Sequence, residues 1–369
     1  MTHRILVTGG AGFIGSHLVT ALLALGHQVV VIDNRSRPFD QTEADQSGGA
    51  EYVWADLQDK PAVEKALHDV DIVVHQAAQV GVGHSMFEMR RYVDANVSGT
   101  AVLLEAVAER AGQIRQIVAA SSMSVYGEGL HACDRCGEVR PPVRAYDRLR
   151  AGLWEQVCPT CGGEPVPIPI PETADLRPAS VYGISKRSQE ELCLVVGRAY
   201  GIPTTCLRYF GVYGRGQLLT NPYTGMVALF AARLAAGRAP LIFEDGRQRR
   251  DLIHVSDVCR AVLLAIENGT DAGPVNLGSG QPVEVSTVAR MLADAIAPGI
   301  EPEISENYRK GDIRNCYPDM TRATDLLGFA PTVKLADGLA DFAEWAASNA
   351  TQESIDRMRS ELHQHRLLL

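Results

Sequence analysis

The sequence predicts an α/β fold built on a doubly wound parallel sheet, and three observations support it. Short apolar runs recur at residues 5–7, 29–32, 52–54, 72–78, 116–120, 204–207 and 275–277, as strands covered on both faces require. Between most of them lie segments with apolar residues at helical spacing, the alternation of right-handed βαβ crossovers. The first run breaks into Gly9-Gly10-Ala11-Gly12-Phe13-Ile14-Gly15 before a helix begins.

That first unit reads as strand, tight turn and helix. Residues 10–15 fit G-x-G-x-x-G, and Gly9, Gly12 and Gly15 add a G-x-x-G-x-x-G spacing. Glycines there permit the turn, let backbone approach a pyrophosphate and leave a helix N-terminus open to the anion. Phe13, Ile14, Leu18, Ala21, Leu22 and Leu25 then follow helical spacing to a C-terminal Gly26, the usual left-handed stop. The second strand ends in Asp33, 18 residues beyond Gly15. An acid at that position accepts hydrogen bonds from adenine-ribose hydroxyls and repels a 2′-phosphate. NAD is therefore expected, with Arg35 and Arg37 leaving NADP as the alternative.

A polar loop reaches Gly49, and a strand runs through 52–54 to Asp56 and Leu57. Asp59 and Pro61 supply helix-start chemistry. The strand at 72–78 runs into Gln76, Ala77 and Ala78, again where backbone can approach a ligand. One long helix carrying Asn96 is expected over 87–110, then a strand ending at Ser121 and Ser122. From Gly129 to Pro171 the alternation stops. It resumes with a helix at 182–200, a strand at 204–207 and a loop over 211–225. Helices at 226–236 and 286–297, strands at 241–243 and 275–277, and a strand-to-helix segment from 247 follow. Residues 308–319 read as irregular, and 341–369 as an amphipathic helical tail.

Composition bounds the function. With 369 residues, 46% hydrophobic and 21% charged, the chain is ordinary globular material. A formal net charge of −9 argues against a sequence-independent grip on nucleic acid. No apolar run approaches spanning length, and the first strand starts too early for a signal peptide, so a cytoplasmic protein without membrane partners is expected.

The next signal is Tyr182-Gly183-Ile184-Ser185-Lys186. Tyr and Lys four apart share one helix face. An ammonium beside a phenol stabilises the phenolate and makes it a usable base. Ser122, at a strand end where such sheets gather ligands, can hydrogen-bond the same substrate hydroxyl.

These motifs together resemble the extended short-chain dehydrogenases/reductases of the nucleotide-sugar epimerase/dehydratase family, over about residues 4–345 without the cysteine segment. The resemblance implies a Rossmann-type NAD domain over 1–208 and 250–275, and a smaller nucleotide-sugar domain over 209–249 and 276–350, with a tail at 351–369. It implies Gly9, Gly12, Phe13, Ile14, Gly15, Asp33, Asn34, Asp56, Leu57, Gln76, Ala77, Ala78, Asn96, Tyr182 and Lys186 as contacts of tightly bound NAD. Tyr182 becomes the acid/base, with Ser122 and Lys186 completing the catalytic set. Ser124, Leu241, Phe243, Arg250 and Arg309 become substrate contacts: Leu241 and Phe243 at the base, Arg250 and Arg309 at the diphosphate. Arg247 and Arg249 read as a solvated basic face. In the family the two helices around 87–110 and 182–200 pair across a two-fold axis, which implies a homodimer.

Departures narrow the reaction. Dehydratases of the family carry Asp-Glu directly after the serine or threonine, and decarboxylases keep a glutamate at the second position. Here Met123 and Ser124 stand there, leaving oxidation and re-reduction at C4: a 4-epimerase. Residues 79–85, 121–129 and 219–225 resemble the subgroup acting on dTDP-L-rhamnose, so a dTDP-6-deoxyhexose is the expected substrate. A UDP-hexose, or a net 4-ketosugar reductase, is the alternative. Gly211 replaces a frequent Asn of the family.

Cys133-x-x-Cys136 and Cys158-x-x-Cys161, with 21 residues between them, sit just outside the usual zinc-ribbon spacing, each pair forming a knuckle of a tetrahedral thiolate site. Four thiolates close a tetrahedral site, so the expected Zn²⁺ is structural, in an insertion over 129–171 that serves as a lid or a wall of the substrate pocket. Cys193, Cys206, Cys259 and Cys316 are scattered in apolar segments and read as buried hydrophobes.

Overall fold

The computed structural model describes residues 2–36, 48–219, 225–308 and 312–349. Seven parallel strands form the central sheet: β1 (Arg4–Thr8), β2 (Gln28–Asp33), β3 (Glu51–Trp54), β4 (Ile72–His75), β5 (Gln116–Ser122), β6 (Thr204–Tyr209) and β7 (Gly273–Leu277). Their order is 7-6-5-4-1-2-3. The winding reverses between β1 and β4, which opens a crevice at the carboxyl ends of those two strands.

Both faces of the sheet are buried, as the uniform apolar runs require. Ile5, Val7, Val29, Val31 and Val74 point to one side, where helices Phe13–Ala24 and Val255–Glu267 pack. Leu6, Val30, Ile32 and Val73 point to the other, against helices Lys60–Ala66, Gly99–Ala108 and Val181–Tyr200. Cys193, Cys206, Cys259 and Cys316 are all buried in apolar surroundings, as their spacing predicts.

The expected helix over 87–110 is broken. Helix Met89–Val93 passes through a π-helical turn, Asp94–Ser98, before Gly99–Ala108 resumes. The π turn carries the fully buried Asn96, and such bulges re-aim a side chain that regular 3.6-residue periodicity cannot.

A second unit follows. Arg249–His254 pairs in parallel with Gly211–Tyr213 and Asn315–Cys316 and antiparallel with Pro282–Glu284. The segment returning from residue 250 thus begins as a strand of this second sheet, and the following helix packs on the central one. Helices Met226–Ala235, Val285–Ile296 and Leu335–Asn349 share a separate apolar core here. Leu241–Ile242 pairs in parallel with Glu303–Ile304. The expected tail at 351–369 lies outside the described residues.

The segment 129–171, where the alternation stops, forms a small module of its own. Leu130–Cys133, Gly137–Val139 and Val166–Ile168 make a three-stranded antiparallel sheet, with a short helix at Tyr146–Arg150. Among the described residues no helix is long and apolar enough to cross a membrane.

Candidate active site and four-cysteine centre

The glycine turn closes on itself. Gly9 adopts φ 68°, and a Cβ there would lie 2.7 Å from the Ala77 Cα. At Gly15 a Cβ would fall 2.1 Å from the Gly9 carbonyl oxygen. Side chains at either position would therefore fill the cradle. Gly12 starts helix Phe13–Ala24 without a side-chain cap, which leaves its first N–H groups open, as an anion site requires. Asp33 ends β2 beside this turn, accepting the Ala11 N–H at 3.1 Å and the Arg35 N–H at 2.8 Å. Asn34 donates to the Asp56 carboxylate at 2.7 Å. Burial alone would raise the Asp56 carboxyl, but hydrogen bonds from Gln58 and Asn34 prevail and hold it below its ordinary value. Leu57 is buried against Gly99. Arg35 does not turn toward Asp33 but stacks on Trp54, 3.5 Å from the ring centroid. Arg37 lies outside the described residues.

Across the crevice, Ala77 N–H donates to Thr8 Oγ1 at 3.1 Å, and Gln76 pairs with the Tyr209 hydroxyl. Asn96 holds this loop: its Oδ1 accepts the Gln79 N–H at 2.7 Å, and its Nδ2 donates to the Gln79 carbonyl at 3.0 Å and to Ser185 Oγ at 2.9 Å. Its amide thus couples the loop after β4 to helix Val181–Tyr200.

That helix begins at a capping Ser180, whose side chain accepts the Gly183 N–H at 3.0 Å, and ends at a left-handed Gly201. Tyr182 is nearly buried, its N–H on Ser85 Oγ at 3.0 Å and its ring edge-on to Tyr92. Gly183 packs the helix onto the turn after Ser122, where a Cβ would lie 2.5 Å from the Ser124 carbonyl oxygen. Ser122 caps that single turn, Met123–Val125, by accepting the Ser124 N–H. Ser122, Ser124 and Tyr182 are all buried at this junction.

Lys186 is 2% exposed. It donates to the Ala120 carbonyl at 2.7 Å and to Gln189 Oε1. Burial pushes its ammonium down to about 8, against the smaller opposing influence of Cys193, Cys206 and Glu190. Gln189 Nε2 reaches His75 Nε2 at 2.6 Å, and His75 Nδ1 meets Thr8 Oγ1 at 2.7 Å. Burial, then the charge of Lys186, pushes His75 down to about 3, so it is neutral. Thr8, His75 and Gln189 therefore form a polar chain from the glycine strand to Lys186. Gln189 escapes a motif search, although its position three residues after Lys186 on one helix face is the signal that reveals it.

Beneath the site a second buried network spans four elements. Arg208 in β6 pairs with Glu190 of helix Val181–Tyr200 at 2.6 Å, and Ser121 in β5 donates to the same carboxylate. Arg208 also donates to the Tyr126 hydroxyl at 2.7 Å, which donates to Asn276 in β7 at 2.7 Å.

The model of the NAD dependent epimerase/dehydratase family matches residues 5–151 and 159–278, covering the glycine turn, Ser122, Tyr182 and Lys186. The chain belongs to this family. A dTDP-L-rhamnose 4-epimerase of Burkholderia thailandensis is 33% identical, with 95% of this chain and 97% of that protein covered. The solved UDP-glucose 4-epimerase of Thermotoga maritima, with UDP-glucose, is 31% identical at a TM-score of 0.77, covering 94% of this chain and all of that one. The solved UDP-glucuronic acid 4-epimerase of Bacillus cereus, in complex with UDP-glucuronic acid and NAD, is 27% identical at 0.75, with 94% and 99% covered.

Against that family background, Gly211 has a structural reason. A Cβ there would lie 2.8 Å from the Asp251 carbonyl oxygen and 2.7 Å from Leu252 Cδ2, so the strand pairing leaves no room for a side chain. Arg250 is half-buried, its guanidinium on the carbonyls of Arg249, Ile313 and Arg314 and 3.7 Å from Asp312. Leu241 and Phe243 lie half-buried around the strand paired with Glu303–Ile304. Arg309 lies outside the described residues, as does most of the 219–225 loop.

The four insertion cysteines converge. Their sulfurs all lie within 4.8 Å of one another, with Cys133 and Cys161 at 3.5 Å. Each pair is followed by a glycine of positive φ, Gly137 and Gly162, both at 72°. Each pair also closes on itself, the Cys136 N–H donating to the Cys133 carbonyl at 3.2 Å and the Gly162 N–H to the Cys158 carbonyl at 2.9 Å. Sequence reasoning did not find the charges that dock this module: Glu128, Arg144, Glu155, Glu244, Asp245 and Arg314.

Proposed function

We propose that this chain is an NAD-dependent nucleotide-sugar 4-epimerase. The observation that carries this reading is the turn Met123–Val125. It lies against the helix bearing Tyr182 and Lys186 and offers no carboxylate, so the residues at hand serve proton and hydride transfer at one carbinol. Ser122 and Tyr182 would bind the C4 hydroxyl, and Tyr182, four residues before Lys186 on the same helix, would take the proton. Bound NAD supplies the hydride acceptor and donor. The cradle at Gly9, Gly12 and Gly15 and the acid at Asp33 fit its pyrophosphate and ribose, with Asn34, Asp56, Leu57, Gln76, Ala77 and Ala78 along the crevice. Asn96 holds the loop. On the return Tyr182 would give the proton back to the C4 oxygen, the bound cofactor supplying the hydride on the opposite face of the sugar.

Arg250 and Arg309 neutralise the diphosphate, and Leu241 and Phe243 flank the base. A dTDP-6-deoxyhexose such as dTDP-L-rhamnose is the favoured substrate, supported by the Burkholderia relative. The UDP-sugar complexes among the solved relatives favour a UDP-hexose as the second reading. We read Cys133, Cys136, Cys158 and Cys161 as ligands of one structural Zn²⁺. Tetrahedral Zn–S bonds of about 2.3 Å place sulfurs roughly 3.8 Å apart, which suits the observed cluster, and unpaired thiols suit a reducing, cytoplasmic setting. The exposed apolar side chains Met86, Phe87, Met89, Val93 and Ile184 support a homodimer through the helices around 82–98 and 181–200.

The test is a panel of nucleotide sugars followed by NMR for C4 inversion, without added NADH and with no net change in nicotinamide absorbance. Tyr182→Phe should keep its NAD and lose at least about a hundredfold in kcat. Near-normal turnover in that variant sinks the assignment, and net consumption of NADH would make the protein a reductase.

A further inference from the structure

Both stalks of the four-cysteine insertion are fastened to one segment of the second unit, residues 312–319. On the way in, the Gly129 N–H donates to the Asn315 carbonyl at 2.8 Å, and a Cβ on Gly129 would lie 2.4 Å from that oxygen. Glu128 next to it accepts the N–H groups of Arg314 and Asn315, each at 2.8 Å. On the way out, Tyr317 donates its hydroxyl to the Pro167 carbonyl at 2.5 Å. Ile170 N–H donates to the Tyr317 carbonyl at 2.9 Å, and Asp319 N–H to the Ile170 carbonyl at 3.0 Å.

Between the stalks, the body of the insertion reaches the same segment with charge. Arg144 makes a two-pronged pair with Glu244, at 2.9 and 2.7 Å, and donates to the Asp312 carbonyl at 3.1 Å. Arg314, fully buried, pairs with Glu244 at 3.0 Å, with Asp245 at 2.7 Å and with Glu155 of the insertion at 2.5 Å. Charges this dry persist only when each is matched, and removing one partner strands the others. Glu244 moreover holds φ 55°, a left-handed conformation that a side-chain-bearing residue adopts only when its surroundings impose it. Its own N–H is tied to the Asn307 carbonyl at 2.7 Å.

The clamped segment supplies the acceptors that aim Arg250. One guanidinium nitrogen donates to the Arg314 carbonyl at 2.9 Å and another to the Ile313 carbonyl. Of the five donors of an arginine, three are spent on carbonyls here, which fixes the direction of the rest.

We propose that the insertion is a positioning element for the diphosphate end of the substrate site: through Arg144, Glu244 and Arg314 it sets the backbone at 312–315, and with it the Arg250 guanidinium. The inference rests on Arg250 binding the nucleotide-sugar diphosphate. It gives Arg144, Glu244 and Arg314 a part in the reaction although none of them touches substrate, and it assigns the module to the nucleotide rather than to the sugar.

The test uses the NAD-loaded protein and its Arg144→Met variant. UDP and dTDP affinities are read by calorimetry, and KM and kcat on the nucleotide sugar that wild type turns over. Nucleotide Kd and KM should each weaken about tenfold, equivalent to about 1.4 kcal/mol, with full NAD content and kcat within about twofold of wild type. In an Arg250→Ala background, Arg144→Met should cost less than about a further twofold, because residues acting through one another are non-additive. A fall in kcat with unchanged Kd and KM would overturn the proposal by placing the module at the sugar. Additive losses in the double variant would overturn it by showing that Arg144 acts apart from Arg250. Should Arg144→Met not fold, Glu155→Gln, whose side chain is half-exposed, carries the same comparison; unchanged nucleotide affinity there overturns the proposal. Failure of wild type to bind UDP and dTDP is a distinct result, which removes the nucleotide-sugar reading itself and this inference with it.

Discussion

Gly183→Ala isolates the spacing between Tyr182 and Ser122. In an ordinary helix interior this substitution stabilises by about 1 kcal/mol, because alanine loses less backbone entropy. Here the new Cβ would lie 2.5 Å from the Ser124 carbonyl oxygen and 3.0 Å from Pro178 Cβ. A carbon–oxygen contact normally sits at about 3.3–3.6 Å, so helix and turn must separate by roughly 0.8 Å. The helix start is held by Ser180 on the Gly183 N–H and Ser85 on the Tyr182 N–H, so the displacement falls on the gap between helix and Ser122 turn. Overpacking of this kind costs about 1–3 kcal/mol, which cancels or slightly exceeds the helix gain. The catalytic effect is larger, since a misplacement on the order of 1 Å costs about a hundredfold. Steady-state kinetics on the variant should therefore show kcat lowered by about 30- to 100-fold, beside near-normal NAD content, melting temperature and nucleoside-diphosphate affinity. Full kcat in a folded Gly183→Ala protein would refute the claim that this contact sets the catalytic distance.

Three more outcomes are expected. Lys186 has a folded pKa lowered from 10.5 to about 8, so between those values the unfolded chain binds more protons and stability rises with pH. Relative to Lys186→Met, NAD-free wild type should gain on the order of 3 kcal/mol from pH 8 to pH 10.5, by denaturant titration; parallel curves would mean that the lysine is not desolvated. Metal analysis should find one zinc per chain, and none in Cys158→Ser/Cys161→Ser, which should still fold and hold NAD while residues 129–171 become protease-sensitive; a wild-type chain without bound metal would end the zinc reading. Met89→Asp with Ile184→Asp should convert a dimer to monomers by light scattering, and a monomeric wild type at micromolar concentration would refute the proposed interface.

The central sheet was legible because its signal is local: buried parallel strands are apolar throughout, and Gly9, Gly12, Gly15 and Asp33 stand at spacings dictated by one strand–turn–helix unit. Tyr182 and Lys186 were legible for the same reason, being one helical turn apart. What stayed hidden depends on pairs distant in sequence. The π turn around Asn96 leaves no mark on hydrophobic periodicity. Gln189 acquires meaning only when His75, 114 residues away, is brought against it. The strands of the insertion stayed hidden behind a break in the alternation because it is held by clustered cysteines and salt bridges rather than apolar stripes. Arg144, Glu244 and Arg314 look like solvated surface charges until the fold buries them together.

The Ser121–Glu190–Arg208 clamp, with Gly183 seated on the Ser124 turn, joins the two candidate catalytic segments from below. The chain from Gly129 to Pro171 is consequently a tether that leaves and rejoins a frame already closed without it. Changes of length or content within it are expected to leave the contact of Gly183 with the Ser124 turn in place. A four-cysteine module is thereby accommodated at this point without being part of the clamp that joins β5 to helix Val181–Tyr200.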